Sequence, residues 1–331
     1  TTDTKKKAAL IVGNICSLAN RDDVLPYLPK LLPPLKKCLM DPLPDVRAVA
    51  AHSIGMLGRE VGEEEMKSVL EWLIEKVYED STVAERSGAA QGLADLLASS
   101  SKKTFDSILN ELLQNSTHPR ACVREGVMWT ISFLPSTLGD DFASLVPSIL
   151  PAIVSGLADE SEMVAEVALR AGQVLVKTYA KSQLNMVLPP IKEAMMDDDW
   201  RIRQSSIMLM GELLYTLGKT KAVGISEDEN DTGLSNDTVE LLLQQELSMD
   251  TWIEVMSSLF FLTTDVTAAV RQSAFQVWKS VVNNTPRTLK KILGALTKLC
   301  FDMFTSNSEN KRTLAARCLG EIVQKLGEFV I

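Results

Sequence analysis

The sequence predicts an all-α fold made of one helical pair repeated along the chain. Three observations predict it. An Asp stands six residues ahead of an Arg at several places, these places recur at a nearly constant interval, and small and aliphatic residues keep fixed positions behind each Arg. The clearest copy is Asp197 with Arg203, where Arg203 opens a run whose Ser206, Met210 and Leu213 are spaced like one face of a helix. Asp41 with Arg47, Asp80 with Arg86, and Asp265 with Arg271 keep the same spacing. His118 with Arg124, Asp159 with Ala165, and Ser306 with Arg312 have lost one partner each, and an earlier copy is expected to begin near Lys6 or Lys7.

Basic positions 47, 86, 124, 165 and 203 are 39, 38, 41 and 38 residues apart, and 271 to 312 is again 41. A period of roughly 40–47 residues belongs to HEAT and armadillo arrays, α-α superhelices in which each unit needs its neighbours to bury its apolar face. Three residues behind the basic position stand Ala50, Ala89, Val127, Ala168, Ser206, Ala274 and Ala315, small enough for close helix approach. Ten behind it stand Leu57, Leu96, Leu134, Leu175, Leu213, Val281 and Ile322. Length alone, 331 residues, would suggest two globular domains, but the repeat points instead to a single array over residues 1–331 of about seven to eight repeats. The opening TTDTKKKAALIVGNICSL reads as a second helix without its first, and Phe329-Val330-Ile331 as an apolar tail, so the chain is expected to be a piece of a longer solenoid.

Between these ends, each repeat should contribute a first helix, a short polar turn and a second helix. Three first helices carry prolines, and Pro33-Pro34, Pro147, Pro151 and Pro189-Pro190 should start or kink them by removing an amide donor. Gly62, Gly139, Gly218 and Gly327 fall where second helices should end in left-handed caps. The interval from Arg203 to Arg271 is 68 residues, and its excess is assigned to 219–237, a polar, acidic stretch expected to lack ordered structure. The sequence from Val239 to Asp265 then resumes the helices.

Composition narrows the function classes. The chain is 46% hydrophobic and 5% aromatic, with Leu, Ala, Val and Met to fill a helical stack. Its net charge of −9 is divided: residues 1–278 carry −14 and residues 279–325 carry +6. Nucleic-acid binding by the whole surface is thereby disfavoured. The five cysteines form no C-x-x-C pair and read as reduced core thiols of a cytosolic protein. No apolar run reaches 18 residues, so no membrane span is expected.

Enzyme motifs fail on inspection. Asp228 to Gly233 resembles the start of a calcium loop, but its twelfth position is Val239 instead of Glu and its fifth is Thr232. Gly218-Lys219-Thr220 resembles the end of a phosphate loop, yet Leu213 replaces the upstream glycine. His52 and His118 are too few and too far apart for a triad or metal cluster. No catalytic residue, cofactor, metal or small-molecule substrate is therefore assigned.

Two sets of charged residues remain. The column Asp41, Arg47, Asp80, Arg86, Arg124, Asp159, Asp197, Arg203, Asp265, Arg271 and Arg312 could be a basic stripe for RNA, but its regular Asp partners would neutralise it. It reads as structural, each Asp capping a second helix or pairing with the Arg of its own or the next repeat. The last repeat differs. In 287–304, Leu289, Ile292, Leu293, Leu296, Leu299, Cys300 and Met303 form one apolar face, and Arg287, Lys290, Lys291 and Lys298 fall opposite, a candidate contact for RNA phosphate or an acidic partner.

The runs RSGAAQGLADLL at 86–97, WRIRQSS at 200–206, VRQSAFQVWKSVVNNTPRTLKKIL at 270–293 and KRTLAARCLGEIVQKLGE at 311–328 resemble the general control non-derepressible translational activators, very large HEAT-repeat proteins. The resemblance covers essentially the whole chain, and fungal elongation factor three is the nearest rival. It implies a cytoplasmic, non-catalytic scaffold that associates with ribosomes and works with an ABC-cassette ATPase. It also implies delivery of the amino-acid-starvation signal to the kinase of initiation factor two alpha, whose contact is expected outside this segment. A HEAT-repeat adaptor of the nuclear-transport type and an enzyme hidden in the acidic insertion are the alternatives from other classes.

Overall fold

The computed structural model describes the backbone of residues 2–222 and 236–327. Every regular element among the described residues is helical. The chain divides into two compact units, Thr1–Leu175 and Val176–Ile331, with the boundary inside one helix.

In the first unit, α1 (Thr2–Leu18) is followed by a short α2 (Arg21–Val24) and then by helix pairs. These are α3 (Leu28–Leu39) with α4 (Pro44–Val61), α5 (Glu63–Tyr78) with α6 (Val83–Leu97), α7 (Lys102–Asn115) with α8 (Ala121–Leu138), and α9 (Val146–Gly156) with α10 (Glu162–Tyr179). Second helices stack in order, α1 on α4, α4 on α6 and α6 on α8, while α3, α5 and α7 pack on α4, α6 and α8. The columns found in the sequence account for this. Ala50, Ala89, Val127 and Ala168 are fully buried where the helices meet, and Leu57, Leu96, Leu134 and Leu175 fill the space behind them. Each such aliphatic side chain contributes about 1.5–3 kcal/mol on burial.

Two glycines show how close the approach is. A Cβ on Gly88 of α6 would stand 1.8 Å from the Leu39 carbonyl oxygen at the end of α3, and one on Gly126 of α8 would stand 2.1 Å from the Val77 carbonyl oxygen of α5. Starts are set by side-chain caps where the sequence supplies them: Thr82 and Glu85 form a reciprocal capping box on α6, and Ser101 caps α7. Pro147 lies in the first turn of α9, whereas Pro33, Pro34 and Pro151 lie inside helices. The stretch Ala121–Gly156 holds a window apolar enough to cross a membrane by composition. Here it forms α8, a 3-10 segment and α9, with Gly139 at φ 54° breaking the run.

The second unit contains α11 (Leu184–Ala194) with α12 (Trp200–Ala222), α13 (Asn236–Leu247), α14 (Met249–Leu262) with α15 (Ala268–Val281), and α16 (Thr285–Phe304) with α17 (Glu309–Leu326). Helix α12 packs on α15, and α14 on α16. The long interval is resolved differently from expectation. Helix α12 runs on to Ala222, and an additional helix, α13, packs against α12, α14 and α15. The excess residues therefore extend to Leu247, and residues 223–235 of the expected insertion lie outside the described residues. Ser248, at φ 65°, separates α13 from α14 and accepts the Thr251 amide. Gly218 lies inside α12 and is not a cap, whereas Gly62, Gly139 and Gly327 do end helices at positive φ. Helical backbone at 218–220 also leaves no phosphate-cradling loop there.

Gly88→Ala should destabilise the fold by about 1–3 kcal/mol, the range for overpacking a tight interior contact. Gly294→Ala, on a helix position with nothing within 4 Å, should stabilise it by about 0.5–1 kcal/mol. Urea midpoints that move in opposite directions for the two variants are the expected result.

Candidate nucleic-acid interface

The ladder arginines lie across the turns between paired helices. Arg47 Nη1 donates to the carbonyls of Asp41 and Pro42, both at 2.9 Å. Arg124 does the same to His118 and Pro119 at 2.7 and 3.0 Å, and Arg203 to Asp197 and Asp198 at 2.9 and 3.0 Å. Arg271 reaches Asp265 and Val266, Arg312 reaches Ser306, and Arg86 uses Nη2 on Ser81. Within a repeat, then, Arg47, Arg203 and Arg271 meet the Asp through its backbone oxygen and not its carboxylate.

The carboxylate has two other tasks. One oxygen accepts the amide two residues on, Leu43 from Asp41, Ser161 from Asp159, Asp199 from Asp197 and Thr267 from Asp265, which fixes the turn ahead of the second helix. His118 fills this role with Nδ1, accepting from the Arg120 amide. The pair of oxygens also receives the basic residue of the preceding repeat. Arg124 Nε and Nη2 grip Asp159 at 2.7 and 2.8 Å, and Arg203 grips Asp265 at 2.9 and 3.1 Å. Burial pushes the Asp159 carboxyl up, but the bonds from Arg124 and the Ser161 amide outweigh it and hold it below its ordinary value. Lys5, instead of Lys6 or Lys7, supplies the first rung, 2.6 Å from Asp41. Lys6 pairs with Asp45 and Lys7 with Asp3.

Other rungs depart from the pattern, and those at Asp197 and Arg271 lack one partner in the sequence, Ala165 and Ser306 standing in its place. Arg86 pairs with Glu125, one residue beyond Arg124, because the turn there carries His118. Asp80 is exposed and pairs with no cation among the described residues, and Arg47 Nε is buried without a partner. Arg47, Arg86, Arg124 and Arg203 are buried, Arg271 is half-buried and Arg312 is exposed. Arg124 and Arg203, each holding two carbonyls and a carboxylate, keep no edge for a phosphate.

Helix α16 holds the other candidate set. Asn284 Oδ1 caps it through the Arg287 amide at 3.0 Å, with Pro286 in the first turn. Leu289, Ile292, Leu296 and Cys300 are fully buried, while Leu293, Leu299 and Met303 are half-buried. Arg287, Lys290 and Lys298 are exposed on the opposite side. Lys291 is engaged: its ammonium stands 2.7 Å from buried Glu240 of α13 and 5.7 Å from the Trp252 ring centroid. Gln244 Nε2 donates to the same carboxylate oxygen at 3.1 Å. Sequence spacing placed Lys291 with the other cations, since nothing local marks a partner 51 residues upstream.

Away from α16, burial pushes the Asp95 carboxyl up to about 6, with His52 Nδ1 3.7 Å from it. Cys300 and Cys318 are buried free thiols, and Cys38 and Cys122 are half-buried and free. Among the described residues no group of three or more His, Cys, Asp or Glu could hold a metal. The calcium-loop-like residues 228–233 lie outside the described residues.

A family model described as stalled ribosome sensor GCN1-like, HEAT repeats, matches residues 24–211, more than half of the chain. The chain belongs to this family. The stalled ribosome sensor GCN1 of Homo sapiens is 40% identical over all of this chain. The eIF-2-alpha kinase activator GCN1 of Saccharomyces cerevisiae is 35% identical over 98% of it. The chain spans 12% of the length of each of these relatives. Among solved structures, importin β aligns with 98% of this chain and 39% of its own at 13% identity, with a TM-score of 0.44.

In this GCN1-like segment, Arg203→Ala leaves the Asp265 carboxylate, 1% exposed, buried without its cation, and should cost about 3–5 kcal/mol. Asp197→Ala loses a turn hydrogen bond and should cost about 1 kcal/mol. Equilibrium denaturation of the two variants should show that asymmetry. Asp95 titrates near 6 when folded and near 3.9 when unfolded. The folded state therefore binds the extra proton between those values, and stability falls as pH rises through that window. Asp95→Asn should raise the melting temperature at pH 7 and flatten its change between about pH 4 and 6.

Proposed function

We propose that this segment is a non-catalytic, cytoplasmic scaffold in a ribosome-associated activator of the initiation factor two alpha kinase, and that α16 is its contact with ribosomal RNA. The names of the relatives, a stalled ribosome sensor and an eIF-2-alpha kinase activator, support the wider role. The observation that carries the local one is electrostatic. Arg287, Lys290 and Lys298 are exposed along one helix of a region bearing +6, in a chain whose preceding 278 residues carry −14. Phosphate is attracted at that helix and repelled elsewhere. Lys291 is left out of the contact, because its charge offsets that of buried Glu240. The kinase is engaged by another part of the longer protein, which also works with an ABC-cassette ATPase.

Reversing Arg287, Lys290 and Lys298 to Glu should lower ribosome co-sedimentation while leaving helical content intact. Neutralised phosphates release condensed counterions, so the slope of log affinity against log salt should become shallower by about 2–3. An acidic protein as the partner gives a milder salt dependence from the start. Equal pelleting of wild type and variant across the salt series would remove α16 from the contact.

A further inference from the structure

The basic face of α16 carries two features that phosphate attraction alone does not require. Phe301 is 64% exposed, and among the described residues nothing stacks on its ring. Exposed Phe275 differs, its ring being covered by the Lys279 ammonium at 4.5 Å. Gly294 lies inside the same helix with open space where a side chain would stand. A helix-interior glycine costs stability relative to alanine, so one that no neighbouring atom demands is unexplained by packing. Positions 287, 290, 294, 298 and 301 follow one another at helical spacing and form a single exposed stripe. Arg287 to Phe301 spans 14 residues, about 21 Å of helix.

We infer that this stripe binds unpaired RNA, with an extruded base stacked on Phe301, phosphates along Arg287, Lys290 and Lys298, and the strand passing closest to the helix at Gly294. The inference rests on the reading of α16 as an RNA contact and adds to it the kind of RNA. A paired A-form helix offers phosphates and sugar hydroxyls but keeps its base faces stacked inside, so it gives Phe301 nothing to cover. An unpaired strand offers both, and base stacking on an aromatic ring is tolerant of sequence. Asp302, the single acid of α16, lies about 100° around the helix from Phe301. It also stands four residues after Lys298, one turn further along the edge of the stripe.

The test is fluorescence anisotropy of the 331-residue chain with a labelled oligoribonucleotide of about 12 nucleotides, single-stranded and as its duplex, at fixed salt. The single strand should bind more tightly than the duplex. Phe301→Leu, which keeps apolar bulk and removes the π-face, should weaken single-strand binding about tenfold, and Phe301→Tyr should restore it. Gly294→Gln should weaken binding while the melting temperature holds or rises, a combination that damage to the fold cannot give. If Phe301→Leu binds like wild type while the triple charge reversal abolishes binding, the phosphate contact stands and the stacking falls. Equal affinity for strand and duplex also overturns the stacking. If neither RNA binds but polyglutamate does, in a manner lost on charge reversal, the face serves an acidic protein and both RNA readings fall.

Discussion

A guanidinium laid across a turn is the interaction on which these repeats depend. The turn between paired helices leaves carbonyl groups that no helix ladder satisfies. One arm of the ladder Arg closes two of them in Arg47, Arg124, Arg203 and Arg271. The other edge of Arg124 or Arg203 then takes the carboxylate that shapes the next turn. One side chain thus fixes a turn and couples it to its neighbour. Backbone acceptors cannot be mutated away, which explains why the Arg keeps its place where the acid does not. Arg312 still holds the turn at Ser306, and Arg124 the turn at His118.

The fold was legible because its determinants repeat. Small and aliphatic residues at constant offsets from a basic residue are visible without coordinates, and all of them are buried. The pairing within the ladder was legible only in part. An Asp six residues before an Arg suggests a carboxylate contact inside the repeat, but the turn presents the carbonyl of that Asp to the Arg and turns its carboxylate toward the preceding repeat. Glu125 was missed for a related reason: it lies on the second helix instead of in the turn, and no spacing rule marks it as the partner of Arg86. The boundary between α13 and α14 is not marked in the sequence, because Ser248 is not a residue that announces a break, although its positive φ makes one.

The candidate site shows the same division. The amphipathic pattern of α16 was readable from the helical period, and the four buried residues along its apolar face follow it. Lys291 belongs to a different arrangement. The additional helix buries Glu240 against α16, and a buried carboxylate is tolerable only beside a cation and further hydrogen bonds, here from Lys291 and Gln244. The interval that lengthens the repeat period thus draws one charge from the basic face and leaves the other three exposed.

Glu125 carries a consequence for how the first unit can be observed. Its carboxylate binds Arg86 of the preceding repeat through one oxygen and the Trp129 indole nitrogen through the other, at 3.1 Å. Phe133 stacks beside that indole, and the Arg170 guanidinium lies 5.2 Å from its centroid. The electronic environment of Trp129, one of five tryptophans, is therefore tied to whether two successive repeats are in register. Separation of α6 from α8 would exchange a fixed ion pair for water beside the ring, so the junction between these repeats carries its own optical gauge.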